Sequence, residues 1–286
     1  MPDSTISNSP LPGLYIVATP IGNLGDIGAR AAETLAAADL IAAEDTRVTA
    51  KLLSRLGLRV PMTPYHDHSD ERTRAALVAR MEDEVVVLVS DAGTPLISDP
   101  GYKLVRDARA AGRHVTTLPG PCAAIAAITL SGLPSDRFLF AGFLPNRAKA
   151  RADAIAEFSA LRATLIFYES GPRLAATLDA LASGLGDREA AVAREISKLY
   201  EECVTGTLTG LAARYADAPP KGEIVIVVGP PGEAAAEPAD DATLDAALRA
   251  AMADRPVAQA AKAVAKRFGR DRHDVYARAL ALKEQL

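Results

Sequence analysis

Short apolar runs, broken by stretches rich in glycine and proline, set a regular beat along the first half of the chain. Residues 14–18 (LYIVA) form a continuous apolar run, the pattern of a strand buried on both faces of a parallel sheet. Further strands are predicted at 40–43, 85–90 (VVVLVS) and 114–118. Between them, helices are predicted over 27–37, 46–56, 71–81 and 102–111, with Gly57 stopping the second. LPGP opens one more helix, from Cys122 to about Leu130. PMTPYHDHSD reads as a loop. Strand, loop, helix and strand in repetition is the signature of an α/β sheet with right-handed crossovers.

SGLPSDR (131–137) has the composition of a linker, and beyond it the rhythm restarts. Strands are predicted at 138–142, 164–168, 190–194 and 224–228, and helices at 149–159, 173–182 and 208–215. A strand over 200–205 is expected to be antiparallel, because only a short connection precedes it. PPGEAAAEPADD is a linker by composition. Three helical segments without a strand follow, at 244–252, 257–268 and 274–282, with Gly269 stopping the second. The expected organisation is thus a disordered tail (1–12), an α/β domain (13–133), a second α/β domain (134–230), a linker (231–241) and a helical appendage (242–286).

The composition, 49% apolar and 24% charged, suits a packed globular protein. A net charge of −4 argues against a surface coated everywhere with nucleic-acid-binding charge, yet allows a local basic patch. Two cysteines cannot build a disulfide scaffold. No run approaches the ~20 apolar residues that span a bilayer, and the first twelve residues lack the basic and apolar regions of a signal peptide. A cytoplasmic protein is expected, with no membrane partner.

Glycine and proline cluster after three predicted strands, following Ala18, Ser90 and Leu118. At the carboxyl edge of an open α/β sheet, such loops present backbone N–H groups to a ligand. Turns alone also call for glycine and proline. SDAGTPLISDPG, however, is far longer than a turn requires, so three such loops point to a pocket. The Rossmann G-x-G-x-x-G pattern, the P-loop and the G-x-S-x-G elbow are all absent. His66 and His68, with Asp67, are too few to form a full metal site, and no metal is expected.

VATPIGNLGD, AAEDTR, YHDH, SDAGTPLISDPGY, LPGPCAA, GLPSDRF, GFLP, FYES, ARE and KGEIVIVV occur in that order. Together they closely resemble the bacterial 16S rRNA (cytidine-2′-O)-methyltransferase I family, within the tetrapyrrole-methylase superfamily. The resemblance covers residues 13–230 and includes the helical tail. It implies two α/β domains with S-adenosylmethionine folded into the cleft between them. Carried onto this chain, it implies that Pro20 lines the first loop and that Asp91, Gly93, Thr94, Pro95 and Ile97 form the second. Pro119, Gly120, Cys122 and Ala123 would form the third, with Tyr168 and Ala193 contributed by the second domain. Superfamily relatives often carry Ser where Cys122 stands, so Cys122 is expected to be a pocket wall and not a nucleophile.

Methyl transfer from a sulfonium requires in-line attack by an oxygen, and orientation supplies much of the acceleration. A ribose hydroxyl is a weak acid, so a carboxylate or a nearby cation would help. Glu44, Asp45 and Arg47 stand at the end of the second strand, on the same edge as the loops, and are the catalytic candidates. Asp91, Asp99 and Glu169 are further carboxylates; Asp45 can equally cap a helix, and Asp91 can serve its own loop. For RNA, the candidates are Arg147, Lys149 and Arg151, then Lys262, Lys266, Arg267, Arg270 and Arg272 in the tail. The resemblance implies 16S rRNA in the small subunit as partner, a decoding-region cytidine as target, and a homodimer. Two alternatives are a small-molecule, tetrapyrrole-like methylase, which would not need the basic tail, and a non-catalytic RNA-binding assembly protein, which would not need the cofactor loops.

Overall fold

The computed structural model describes residues 10–66, 68–232 and 240–283, with the side chain of Lys266 undescribed. Most of the expected tail (1–9), Asp67, most of the linker (233–239) and the last three residues of the appendage lie outside the described residues. The chain divides into two compact units, Met1–Pro230 and Pro231–Leu286.

The first unit opens with β1 (Gly13–Val17), α1 (Ala29–Ala36), β2 (Leu40–Ala43), α2 (Thr46–Arg55), β3 (Met62–Pro64), α3 (Glu71–Arg80), β4 (Val85–Val89), α4 (Tyr102–Ala110), β5 (Val115–Leu118) and α5 (Ala123–Ser131). The strands form one wholly parallel sheet in the order β3-β2-β4-β1-β5. One face packs Val17, Ile41 and Val87 against Leu35 and Leu53 of α1 and α2. The other packs Leu14, Val86 and Leu88 against Leu77 and Leu104 of α3 and α4. Each such buried side chain stabilises the fold by about 1.5–3 kcal/mol. The strand β3 falls where the sequence reads as a loop. It is three residues long, contains Pro64 and sits at the sheet edge, where a missing N–H is tolerated.

The same unit continues with β6 (Phe138–Phe143), α6 (Ala148–Ala156), β7 (Thr164–Ser170), α7 (Leu174–Leu185), β8 (Glu189–Arg194), β9 (Glu202–Thr207), α8 (Leu208–Tyr215) and β10 (Glu223–Val228). These strands order as β6-β7-β10-β8-β9. Only the β6–β7 pair is parallel; β10 inserts antiparallel between β7 and β8, and β9 pairs antiparallel with β8. The register of β6 on β7 shifts between Phe140 and Gly142, a local irregularity. One face of this sheet packs against Ile155, Leu178 and Leu211 of α6, α7 and α8. The other face is covered by α5, whose Ala124, Ala127 and Ile128 meet Ile166, Ala191 and Val227. The helix that ends the first α/β stretch thus completes the core of the second.

The second unit holds α9 (Asp241–Asp254), α10 (Val257–Phe268) and α11 (Arg272–Lys283). Leu248, Val264, Phe268 and Val275 belong to its core. The linker expected to run to residue 241 ends earlier: the Asp240 carboxylate accepts from the Thr243 N–H at 2.9 Å and caps α9. Gly269 ends α10 in the left-handed conformation, as expected, but α11 begins at Arg272, two residues before its predicted start. Its cap is Asp271, which accepts from the His273 N–H at 2.7 Å, an Asx motif that periodicity does not register.

Candidate functional site

Because β4, β1 and β5 are neighbours and parallel, the three loops that leave them emerge side by side. They are tied to one another by hydrogen bonds. Thr19 and Gly93 exchange N–H···O bonds of 2.9 and 3.0 Å, and the Thr94 hydroxyl donates to the Pro121 carbonyl at 2.9 Å. Gly93 has φ +84°, which a side-chain-bearing residue adopts only with strain. Leu96 and Ser98, in the same loop, also sit at positive φ, 74° and 64°. Such non-glycine backbone costs about 1–3 kcal/mol per residue and concentrates at functional sites.

These loops border a cavity of about 290 Å³. Its first-sheet lining includes Glu44, Asp91, Gly93, Thr94, Ile97 and Asp99, and Cys122 and Ala123 add the start of α5. The second sheet adds Phe143, Tyr168, Glu169, Ile196 and Glu223 to Val225. Tyr168 is ringed edge-on by Phe140 at 4.8 Å and Phe143 at 5.6 Å between centroids. Burial raises the pKa of its hydroxyl, so it stays protonated.

The carboxylates differ in how far they are already committed. Pairing of β2 with β4 brings Glu44 beside Asp91: the Asp91 N–H donates to Glu44 Oε2 at 3.3 Å, and the Asp45 N–H to Asp91 Oδ1 at 3.0 Å. Asp91 therefore bonds backbone across the strand ends. Glu169 is buried and accepts from the Thr177 hydroxyl at 2.7 Å and the Ser170 N–H at 2.8 Å. Arg173 lies 3.3 Å from it. Asp99 is half-buried, and burial is the main cause that pushes its carboxyl up to about 6. A bond from Ser90 opposes that rise, and the charges of Glu44 and Asp91 add to it.

Asp45 and Arg47 do not line the cavity. The Asp45 carboxylate accepts from the Arg47 N–H at 2.8 Å as the cap of α2, and it also grips the guanidinium, with Nη2 at 2.6 Å. That pairing holds it down at about 2, fully ionised. Of the two roles left open by the sequence, the geometry displays the cap. Pro20, Pro95, Pro119, Gly120 and Ala193 also lie outside the cavity lining. Pro20 lines a groove on the far side of its loop, and Ala193 is fully buried in the core beneath the cavity. A Cβ on Gly120 would lie 2.8 Å from that of Ala18, so this glycine lets two adjacent loops approach closely.

Sequence reasoning missed Ile21, Ala92, Phe143, Ile196 and Glu223 to Val225. Phe143 lies in GFLP and Glu223 to Val225 in KGEIVIVV, segments that carry the resemblance without an implied site role, and only strand pairing brings them here. Ile196 follows β8 in a loop where Glu195 and Ser197 adopt positive φ without any glycine to signal it. Among the RNA candidates, Arg147 caps α6 by position, with Lys149 and Arg151 in its first two turns. In the second unit Lys262 and Arg267 are exposed on α10, and Arg267 lies 4.9 Å over the Phe268 ring. Arg270 is exposed in the turn, and Arg272 opens α11.

Comparison with known proteins gives an independent view. The family described as Tetrapyrrole (Corrin/Porphyrin) Methylases matches residues 13–212, and the RsmI C-terminal HTH domain matches residues 238–283. The chain is 58% identical over 272 residues to a Ribosomal RNA small subunit methyltransferase I of Erythrobacter litoralis, covering 95% of this chain and 96% of that one. The protein of the same name from Mesorhizobium japonicum is 51% identical, with 96% and 93% covered. That from Escherichia coli O157:H7 is 45% identical, with 93% and 94% covered. Among solved structures, a diphthine synthase aligns with a TM-score of 0.58 at 17% identity, over 76% of this chain and 89% of that one. A uroporphyrin-III C-methyl transferase from Thermus thermophilus, complexed with S-adenyl homocysteine, aligns at 0.52 and 20% identity, over 76% and 97%. These two likenesses establish the fold alone.

Proposed function

Because the chain belongs to the ribosomal RNA small subunit methyltransferase I family, we propose that it methylates the ribose 2′-oxygen of a cytidine in the decoding region of 16S rRNA. It is a methyltransferase with S-adenosylmethionine as its cofactor. The observation that carries the reading is the cavity at the strand ends, which suits that cofactor chemically. An aromatic wall of Tyr168 and Phe143 can take an adenine, and loop backbone at Gly93 and Thr94 can meet its polar edges. Glu44, Asp91 and Asp99 face a position where a cation would relieve their mutual repulsion.

S-adenosylmethionine supplies an electrophilic methyl group, so the chain's residues need only position, desolvate and take up a proton. Glu44 and Asp99 line the cavity at the first sheet's edge, beside Asp91. We assign them to orienting the acceptor hydroxyl, and Asp45 with Arg47 to holding the adjacent strand end in place. The cofactor loops belong to 13–133 and the apolar wall to 134–230.

For the partner, the reading is 16S rRNA within the small subunit, met in the cytoplasm by two copies of this chain. Among the described residues no helix is long and apolar enough to cross a membrane. Lys149 and Arg151 in the opening turns of α6, beside Arg147, work against that helix's own dipole, an arrangement a phosphate would reconcile. The helical appendage (242–286), with Lys262, Lys266, Arg267, Arg270 and Arg272, is assigned to the same task, sequence-independent phosphate contact. Methylation is to be mapped on 16S rRNA from cells with and without the protein. One 2′-O-methylated decoding-region cytidine should vanish in its absence, and an unchanged map would overturn the assignment.

A further inference from the structure

The cavity has a neighbour. On the outer side of the loop after β1, a groove of about 310 Å³ runs between Pro20, Gly22 and Leu24 on one flank and Lys51, Leu52 and Arg55 of α2 on the other. Asp91 lines both this groove and the cofactor cavity, so the two spaces share a residue. We propose that this groove carries the sugar–phosphate backbone of the acceptor strand into the active site, with Lys51 and Arg55 as its phosphate contacts. The inference rests on the reading of the cavity as an RNA methyltransferase site, and it adds the route by which the strand arrives.

The charges on α2 are placed for this. Arg47, Lys51 and Arg55 recur every four residues and share one helix face, and all three are exposed. Arg47 is taken up by Asp45. Among the described residues, Lys51 and Arg55 make no ion pair or side-chain hydrogen bond. Arg74, Arg80 and Arg113 of the same half pair with Asp107, Glu84 and Glu82, whereas Arg30, Arg59, Arg72 and Arg109 make no such pair among the described residues. What sets Lys51 and Arg55 apart is that they line this groove. Arg55 alone could be explained as a favourable charge in the last turn of its helix, but Lys51 sits mid-helix and gains nothing there.

Four residues of α-helix rise about 6 Å, a spacing comparable to that of consecutive phosphates on an extended strand. The facing flank is backbone-rich and small, which admits a sugar–phosphate chain. Pro20, Leu24 and Leu52 are its apolar side chains, too small a patch to anchor a protein partner. A single strand of RNA therefore fits the groove better than a peptide does.

The test uses the full-length enzyme, small subunits purified from cells that lack it, and a fluorescent single-stranded RNA of decoding-region sequence. Lys51→Gln/Arg55→Gln should raise the KM for subunits about tenfold or more and leave kcat within about twofold. Calorimetric affinity for S-adenosylmethionine should not change. The salt dependence of RNA binding should flatten by about 1.4 in log–log slope, from ~0.7 per phosphate on a single strand. Lys51→Arg, which keeps the charge, should behave as the unmutated enzyme. An unchanged KM and salt slope in the double variant overturns the groove assignment while leaving the methyltransferase reading intact. Parallel loss of cofactor affinity also overturns it, because the residues would then act through the fold. If the unmutated enzyme binds the RNA with the expected salt response but methylates no subunit, the reading of the site falls and the groove stands.

Discussion

The two five-stranded sheets of the first unit meet the same cavity in different ways. The first is wholly parallel, so all its strands release the chain at one edge, and that edge supplies backbone groups, strained turns and carboxylates. The second is mixed, with β10 running against both neighbours, and its loops are divided between opposite edges. What it lends is mainly a wall, Phe143, Tyr168, Ile196, Ile224 and Val225, most of them apolar, with the carboxylates of Glu169 and Glu223 beside it. Parallel pairing gathers polar chemistry because it gathers strand ends, and antiparallel insertion yields packing surface. The division predicts that the first sheet's edge dominates ligand binding and the second sheet tunes it.

The sharpest way to break this division is at Gly93. A valine there must adopt φ +84°, with its Cβ in contact with Ile21 at 3.4 Å. Gly93→Val is expected to weaken S-adenosylmethionine binding by more than about 100-fold while far-UV dichroism stays unchanged, since strain of ~1–3 kcal/mol at one turn is survivable. Retained affinity by calorimetry would mean that loop backbone is not what holds the ligand. The second sheet's share is smaller. Tyr168→Ala should raise the dissociation constant about tenfold, because edge-on aromatic contacts contribute ~0.5–1.5 kcal/mol beyond their buried area. An effect equal to that of Gly93→Val would erase the distinction between edge and wall.

A pH experiment sharpens the comparison further. Asp99 titrates near 6 in the fold, above its ordinary value of 3.8, so it favours the protonated form. Its contribution to stability is therefore fully present below about pH 4 and lost as pH rises through about 6. Asp99→Asn should melt higher than the unmutated protein at pH 7.5 and show no such advantage at pH 4. For a cationic ligand the sign reverses: affinity for S-adenosylmethionine should rise severalfold from pH 5 to pH 7, and Asp99→Asn should flatten that rise. The smallest effect is expected at Asp45→Asn. An amide still caps α2, so stability should shift by less than about 0.5 kcal/mol. Cofactor affinity should hold while turnover drops a fewfold, as Arg47 is released. A drop of several orders of magnitude would return Asp45 to the centre of the chemistry.

Much of the first sheet can be read from residues alone. Residues 85–89 (VVVLV) are fully buried on both faces, and the long loop after them could have few purposes other than a ligand. The hidden parts have physical reasons. Pro61 and Pro64 disguise the edge strand β3, and the acidic pair Asp240–Asp241 resembles a linker although Asp240 is a helix cap. The second sheet's wall is largely apolar, and an apolar strand end looks the same whether it faces a ligand or a core. Glu223 joins the site only because β10 inserts beside β7 with Glu223 opposite Ser170, a pairing between residues far apart in the chain.

The placement of α5 also bears on how the chain is made. Its residues, AAIAAITLS, are almost all apolar, and the surface that buries them consists of β7, β8 and β10. A chain emerging from the ribosome therefore finishes this helix long before its cover exists, and β10 is the last strand to be synthesised. The first sheet can pair early, but α5 must wait as an uncovered greasy helix until nearly the whole unit has been translated. Such late, long-range closure slows folding and leaves a sticky intermediate. The segment that begins with the cavity residues Cys122 and Ala123 is thus the one most exposed to aggregation, or to chaperone capture, during the protein's own synthesis.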